Sequence, residues 1–366
     1  MACWRLGYTF GPYRCRRLLV AIDFHSRKIR AASRVSMMRK LTAIFLVLFT
    51  SVLFWASDLR QVGMVDLPGT PGFDEAAFAK GMLLISHATA NTIEIFDPRK
   101  RRVIGKVSNM SQPHGIAVDE EGGRAYIANS GANDLVVLTT SDFQVQRTIA
   151  LPFSPRSLLY VPQTKLLYVV CADAQRLLTV DPRLGTATHT VDVQAHPEYL
   201  AFDPGRNLIY VTLQDKKQIQ AYSATALEPV KSFSLQGSMP TGLLYDQQLD
   251  RLYVAIRNAV LAIDVKTGAE IGRVAAPTGT DRLWLDAKSR TLFAVAYGAV
   301  AVLHAGDQFG AVDELPIDVK GHAFAFDSQA GFLYLPGGRE GRSKLLILRQ
   351  ESAGAPQLVS KPGAKK

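Results

Sequence analysis

Cysteine is scarce in this sequence. Of 366 residues only Cys3, Cys15 and Cys171 are cysteine, and one alone lies beyond residue 40. A disulfide framework in the body of the chain is thereby excluded, and so is a multi-cysteine zinc or iron–sulfur site. Also missing are a CxxCH haem motif, a P-loop, a GxSxG elbow and an HExxH pair. Helical periodicity of useful length is absent as well. Acidic residues are nearly missing from the first 40 positions, which hold ten Lys/Arg against Asp23 alone. That local charge of +9 leaves +1 of the formal +10 for everything else. The basic balance describes a tail, and a basic face for nucleic acid is not expected.

Charge is missing altogether from Leu41 to Ser57, LTAIFLVLFTSVLFWAS, with Arg39-Lys40 before it and Asp58 after it. Seventeen apolar and small residues behind a basic step read as an export signal with the basic side inside. The length is at the short edge of a spanning helix, so an uncleaved anchor is as consistent as a cleaved signal. Phe54 or Trp55 would occupy the −3 position, which makes a poor cleavage site, and no Cys follows for a lipid anchor. Met37 and Met38 stand just before Arg39, and a start there would give an ordinary short n-region. The expected organisation is a basic tail at 1–40, a signal peptide or membrane anchor at 41–57, a folded domain at 58–350 and a loose tail at 351–366. The expected location is periplasmic or extracellular, with the inner membrane as anchor if residues 41–57 are retained.

The domain repeats itself. Runs such as GIAVD (115–119), SLLYV (157–161), YLAFD (199–203), GLLYD (242–246), RLWLD (282–286) and AFAFD (323–327) recur. Each is followed by an aromatic that opens a second apolar run: Tyr126, Tyr168, Tyr210, Tyr253, Phe293 and Tyr334, spaced by 42, 42, 43, 40 and 41 residues. One step back lies Leu84 in a seventh copy. Each copy carries four short strand signals separated by turn residues, such as Ser130-Gly131-Ala132-Asn133. A period near 42 with four strands per unit predicts an all-β, seven-bladed β-propeller preceded by one N-terminal hydrophobic helix. Arg60–Val65 resembles Arg102–Val107 at a distance of 42. It is therefore expected to close the ring as the outer strand of the blade containing Tyr334. The first inner strand should fall near Phe73–Ala77, where Asp74 and Glu75 break the apolar pattern.

The stretches YIANSGANDLVVL (126–138), YVVCADAQRLLTVDP (168–182) and YVTLQDKKQIQAYS (210–223) resemble YVTN-type β-propeller repeats. So do the openings Pro113–Asp119 and Pro240–Asp246. The resemblance covers roughly residues 60–350 and implies an exported seven-bladed propeller, without fixing an activity. Propellers of this type are similar to lactonases, to lyases and to the large subunits of quinone-dependent amine dehydrogenases. The absence of a tryptophan-docking or PQQ-propeller motif and of a haem site sets this chain apart from quinone-dependent enzymes.

Most repeated residues read as scaffold. Asp119, Asp203, Asp246, Asp286 and Asp327, where inner strands turn into the next strand, suit Asx-turns, and the repeated Tyr suits packing between blades. One position varies among copies. In register it reads Gly72, His114, Arg156, Glu198, Thr241, Asp281 and His322, just where inner strands begin. Inner strands surround the axis, so their starts gather at one channel mouth. His114, Arg156, Glu198, Asp281 and His322 are therefore the candidate ligand-binding residues, and the ends of the second strands add His87, Asn129 and Cys171 as an outer ring. Arg156 and Glu198, in successive blades, are expected to neutralise each other, and Asp281 to orient His322. A solvated rim also accommodates polar residues here. Four of the five are metal ligands by type, but Arg156 opposes a metal, and neither metal nor cofactor is assigned. The expected role is binding of a small polar ligand or a protein partner by a monomer. The alternative is a lactonase-like hydrolase or lyase with His114 or His322 as base and Glu198 or Asp281 as acid.

Overall fold

In a computed structural model the chain is described over residues 59–350. These residues form seven four-stranded antiparallel sheets, a seven-bladed β-propeller. The inner strands are Phe73–Ala79, Pro113–Asp119, Ser157–Val161, Pro197–Asp203, Leu243–Asp246, Arg282–Asp286 and Ala325–Asp327. They define blades 1 to 7 in that order. The only helical pieces among the described residues are two short 3-10 turns, Ala88–Ala90 and Ser130–Ala132. The hydrophobic segment 41–57 and both tails lie outside the described residues.

The physical basis of the repeat is visible in the core. Second and third strands are apolar on both faces, because each sheet is covered by a blade on either side. Outer strands are mostly exposed; Val145–Ala150, for example, buries Ile149 alone. Seven apolar clusters fill the seven gaps between neighbouring blades. The repeated aromatics sit in those gaps. Tyr126 stacks on Tyr160 of the next blade at 5.8 Å, and Phe293 meets Phe326 at 5.0 Å. The Asp residues at inner-strand ends make the turns their position requires. Asp119, Asp203 and Asp286 accept backbone N–H bonds from Gly122, Gly205 and Lys288.

The ring closes between blades 7 and 1. Strand Leu59–Asp66 pairs antiparallel with Arg342–Gln350, from Leu59 opposite Gln350 to Asp66 opposite Lys344. It is the outer strand of the blade that contains Tyr334. No sheet edge is left for want of a fourth strand.

Candidate functional site

Strand pairing corrects the register read from the sequence in blade 1. Phe73 pairs with His87 and Ala76 with Ile85, as Pro113 pairs with Asn129 and Ile116 with Ile127. The equivalent of His114 is therefore Asp74, not Gly72. The ring at the channel mouth is Asp74, His114, Arg156, Glu198, Thr241, Asp281 and His322. One residue deeper runs a second ring: Glu75, Gly115, Ser157, Tyr199, Gly242, Arg282 and Ala323.

A local irregularity places these residues. In blades 1, 2 and 4 the register slips between the first and fourth residues of the inner strand. Two inner-strand residues then oppose one on the second strand, the arrangement of a β-bulge, which re-aims side chains. The pairs so displaced are Asp74-Glu75, His114-Gly115 and Glu198-Tyr199. The hydroxyls opposite two of the bulges fasten the next blade. Ser86 Oγ donates to the carbonyl of His114, and Thr212 Oγ1 donates to that of Thr241 at 2.9 Å. The Gly115 N–H donates to Arg156 O at 2.9 Å, a contact that leaves no room for a side chain.

Asp74 is the hub. Its carboxylate lies 3.0 Å from His114 Nδ1, 3.5 Å from an Arg156 amine, 3.9 Å from His322 Nε2 and 4.0 Å from an Arg282 amine. These groups come from blades 2, 3, 7 and 6. Burial alone would raise the Asp74 carboxyl. The hydrogen-bonding and charge contributions of His114, His322 and Arg282 reverse that and hold it far below the usual carboxylate range. His114 Nδ1 is nevertheless buried without an aligned hydrogen bond.

The deeper ring forms a floor. Arg282 of blade 6 pairs with Glu75 of blade 1, donates to the Asp74 carbonyl at 2.8 Å, and lies over the Tyr199 ring of blade 4 at 5.0 Å. Burial raises the Glu75 carboxyl further than the Arg282 charge lowers it. Burial works against the Arg282 charge, but Glu75, Tyr199 and Asp74 more than offset it and keep the guanidinium ionised. Arg282 thus bridges blades 6, 1 and 4 across the axis, and the ring at the channel mouth with this floor beneath it forms the cup.

On the other side of the cup, Tyr199 Oη donates to Asp281 at 3.4 Å, and His322 Nε2 is 3.9 Å from Asp281. His322 Nδ1 is 3.2 Å from the hydroxyl of Tyr297, which is 61% exposed at the rim. Glu198 pairs with His196 at 3.0 Å. Burial, then the charge of Asp281, raises the Glu198 carboxyl. Arg156 and Glu198 therefore take different ionic partners, Asp74 and His196, instead of each other.

The structure brings His114, Arg156 and His322 around Asp74, and Asp281 against His322. Glu198 belongs to the same ring but touches none of them within ion-pair distance. Sequence reasoning passed over Asp74, Glu75, Tyr199, Arg282, Tyr297 and His196. The signal for the first two was the broken apolar pattern at the start of blade 1. The outer ring is a correction. His87 is fully buried, bonded to the Thr70 carbonyl at 2.8 Å. Asn129 is buried as well and bonded to Ser111 and Asp134. Cys171 is fully buried as well, and burial pushes its thiol up to about 12, which disfavours the thiolate. All three serve the blade ends. Among the described residues no group of three or more His, Cys, Asp or Glu has the arrangement to hold a metal ion. A hollow of about 720 Å³ at the other end of the inner strands is lined by Leu244, Tyr245, Trp284 and Leu285 together with Asp246, Gln247 and Gln248, and its one carboxylate, Asp246, is paired with Arg290.

No family model matches the chain. A segment is similar to the uncharacterized protein YncE of Salmonella typhi, 28% identical over 101 residues, and to the same protein of Salmonella typhimurium (strain LT2), 27% identical over 101 residues. The match spans 28% of the length of these curated relatives and 28% of this chain. Among solved structures, the Kuenenia stuttgartiensis hydrazine synthase superposes with a TM-score of 0.68 at 15% identity, over 77% of this chain and 97% of that one. At that identity the likeness is one of fold.

Proposed function

We propose that this chain is an exported, YVTN-type propeller whose charged cup binds a small polar ligand or a protein partner. Export rests on the charge step before the uncharged run 41–57, which would also anchor the protein in the inner membrane where it is retained. The observation that carries the binding role is the cup itself. Groups from blades 2, 3, 6 and 7 converge on the largely buried carboxylate of Asp74 in blade 1, above a floor that spans the axis. Scaffold duty at the inner-strand start does not require them, since Thr241 fills the same place in blade 5 with one hydroxyl bond to Thr280 O.

The test is a thermal-shift screen of the purified chain against small carboxylates, amines, amino acids and sugars, repeated on a double variant, His114→Ala with His322→Ala. The variant is expected to fold and to lose every shift found. Retention of those shifts overturns the reading. A second reading, hydrolase or lyase, draws on His322, whose ring stands between the Tyr297 hydroxyl and the Asp281 carboxylate. Hydrolysis of a lactone panel that disappears in the same double variant would favour it over binding alone.

A further inference from the structure

We infer that the cup's ligand is a zwitterion, carrying an ammonium group and a carboxylate a few bonds apart. The inference rests on the binding role proposed above and names its ligand class. It starts from which charges the cup satisfies internally. Asp74 has two imidazoles and two guanidinium groups around it, and Glu75 has Arg282. Glu198 and Asp281 are different. Neither has a Lys or Arg partner within ion-pair distance among the described residues. Glu198 meets His196, and Asp281 meets His322 and a tyrosine hydroxyl.

These two carboxylates stand in blades 4 and 6. Blade 5 between them contributes Thr241 and Gly242, the smallest pair in the two rings. A larger residue at Gly242 is excluded, because its Cβ would approach Asp281 O to 2.4 Å. Blades 5 and 6 are thereby drawn together at the ring, with the short Thr241 side chain between Glu198 and Asp281 in blade order and the Tyr199 hydroxyl on Asp281 at 3.4 Å. The two carboxylates also repel each other. A compact cation set between them would relieve that repulsion, and an ammonium offers three donors for the job.

The opposite pole is next door. Arg156, in blade 3, adjoins Glu198, and its side chain is 48% exposed, with one ionic contact at 3.5 Å. Its guanidinium has free donors for a bidentate carboxylate. A ligand that is only a cation would leave Arg156 unanswered. One that is only an anion would meet Glu198 and Asp281. A zwitterion answers both arcs, and Tyr297 at the rim offers a face to whatever side chain it carries.

The experiment is calorimetric titration of the full chain with a panel of α-amino acids. Each is paired with its deaminated carboxylic acid and its decarboxylated amine. At least one amino acid should bind, and both of its truncated analogues should bind about tenfold or more weaker, the size of one lost charge-assisted hydrogen bond. Glu198→Gln and Asp281→Asn should each weaken the amino acid by a similar factor and leave the carboxylic acid unaffected or tighter. Arg156→Gln should do the reverse, weakening the carboxylic acid and sparing the amine. The thermal midpoint of Glu198→Gln should not fall, because the buried carboxylate is itself unfavourable, and this separates lost binding from lost fold. Equal binding of an amino acid and its deaminated analogue overturns the zwitterion while leaving the cup as a binding site. Binding that survives all three substitutions overturns the cup.

Discussion

At the scale of single residues, the least replaceable side chain is Asp74. It is 13% exposed and is the one anion common to His114, Arg156, Arg282 and His322. Removing its charge breaks its contact with buried Arg282 and takes from His114 and Arg156 their one carboxylate within ion-pair distance among the described residues, and breaking a buried pair generally costs about 3–5 kcal/mol. Asp74→Asn, equal in shape, should therefore lower the free energy of unfolding at neutral pH by about 3 kcal/mol, measured by urea denaturation. The pH dependence has a definite sign. The folded carboxyl is held below its unfolded value of about 3.9, so its contribution is complete above that value. The contribution disappears as the pH falls through and below it. Between pH 5 and pH 3 the natural protein should lose more stability than Asp74→Asn. Equal losses would show that Asp74 is not the hub.

At the scale of the element, the inner strand has two functions, and its start is where they compete. Gly115 illustrates this. A Cβ there would lie 2.7 Å from Arg156 O, and the Gly115 N–H already bonds that oxygen. Gly115→Ala should push blades 2 and 3 apart at the cup and destabilise by about 1–3 kcal/mol, the usual range for overpacking. The loss should appear in urea denaturation together with weaker ligand binding. An alanine variant as stable as the parent would mean that the inter-blade contact gives way freely. The same competition decided what was legible in the sequence. The blade repeat was readable because every second strand must be apolar on both faces, with an aromatic at one fixed place. Ring closure was readable because the outer strand repeats Arg, Gly and Val at the same spacing. The site was half readable. Its five variable residues stand out against a repeated background, but the bulge at Asp74-Glu75 replaced apolar residues with acids. With the pattern gone, the register slid by two, onto Gly72. Arg282 and Tyr199 were hidden for another reason: each belongs to the deeper ring, and what marks it is a partner two blades away.

At the scale of the whole molecule, the ring holds only if its first strand stays home. Leu59–Asp66 joins the chain's beginning to its last blade, so stability depends on a contact between residues nearly 300 positions apart. Leu59 is buried with Phe293, Val302 and Leu348, and Val65 packs with Leu345 and Ile347. Burying a Leu or Val side chain contributes about 1.5–3 kcal/mol. Excising residues 59–66 from the full chain removes both and bares the edge of Arg342–Gln350. The expected loss is on the order of 4 kcal/mol, or about 10 °C in thermal midpoint for a domain of this size. The exposed edge should also promote self-association, visible by light scattering. A truncated chain that melts with the parent and stays monomeric would place the closure elsewhere. Strand direction adds a second consequence. Leu59 and Gln350 face each other at the end of the blade where inner strands finish, whereas the cup opens where inner strands begin. Both ends of the described chain thus leave on the face opposite the cup. Tethering the protein to a surface through either end should leave ligand binding unchanged, whereas a bulky label at Arg156→Cys should block it. If end-tethering abolishes binding while the Arg156 label does not, the ligand enters from the other face.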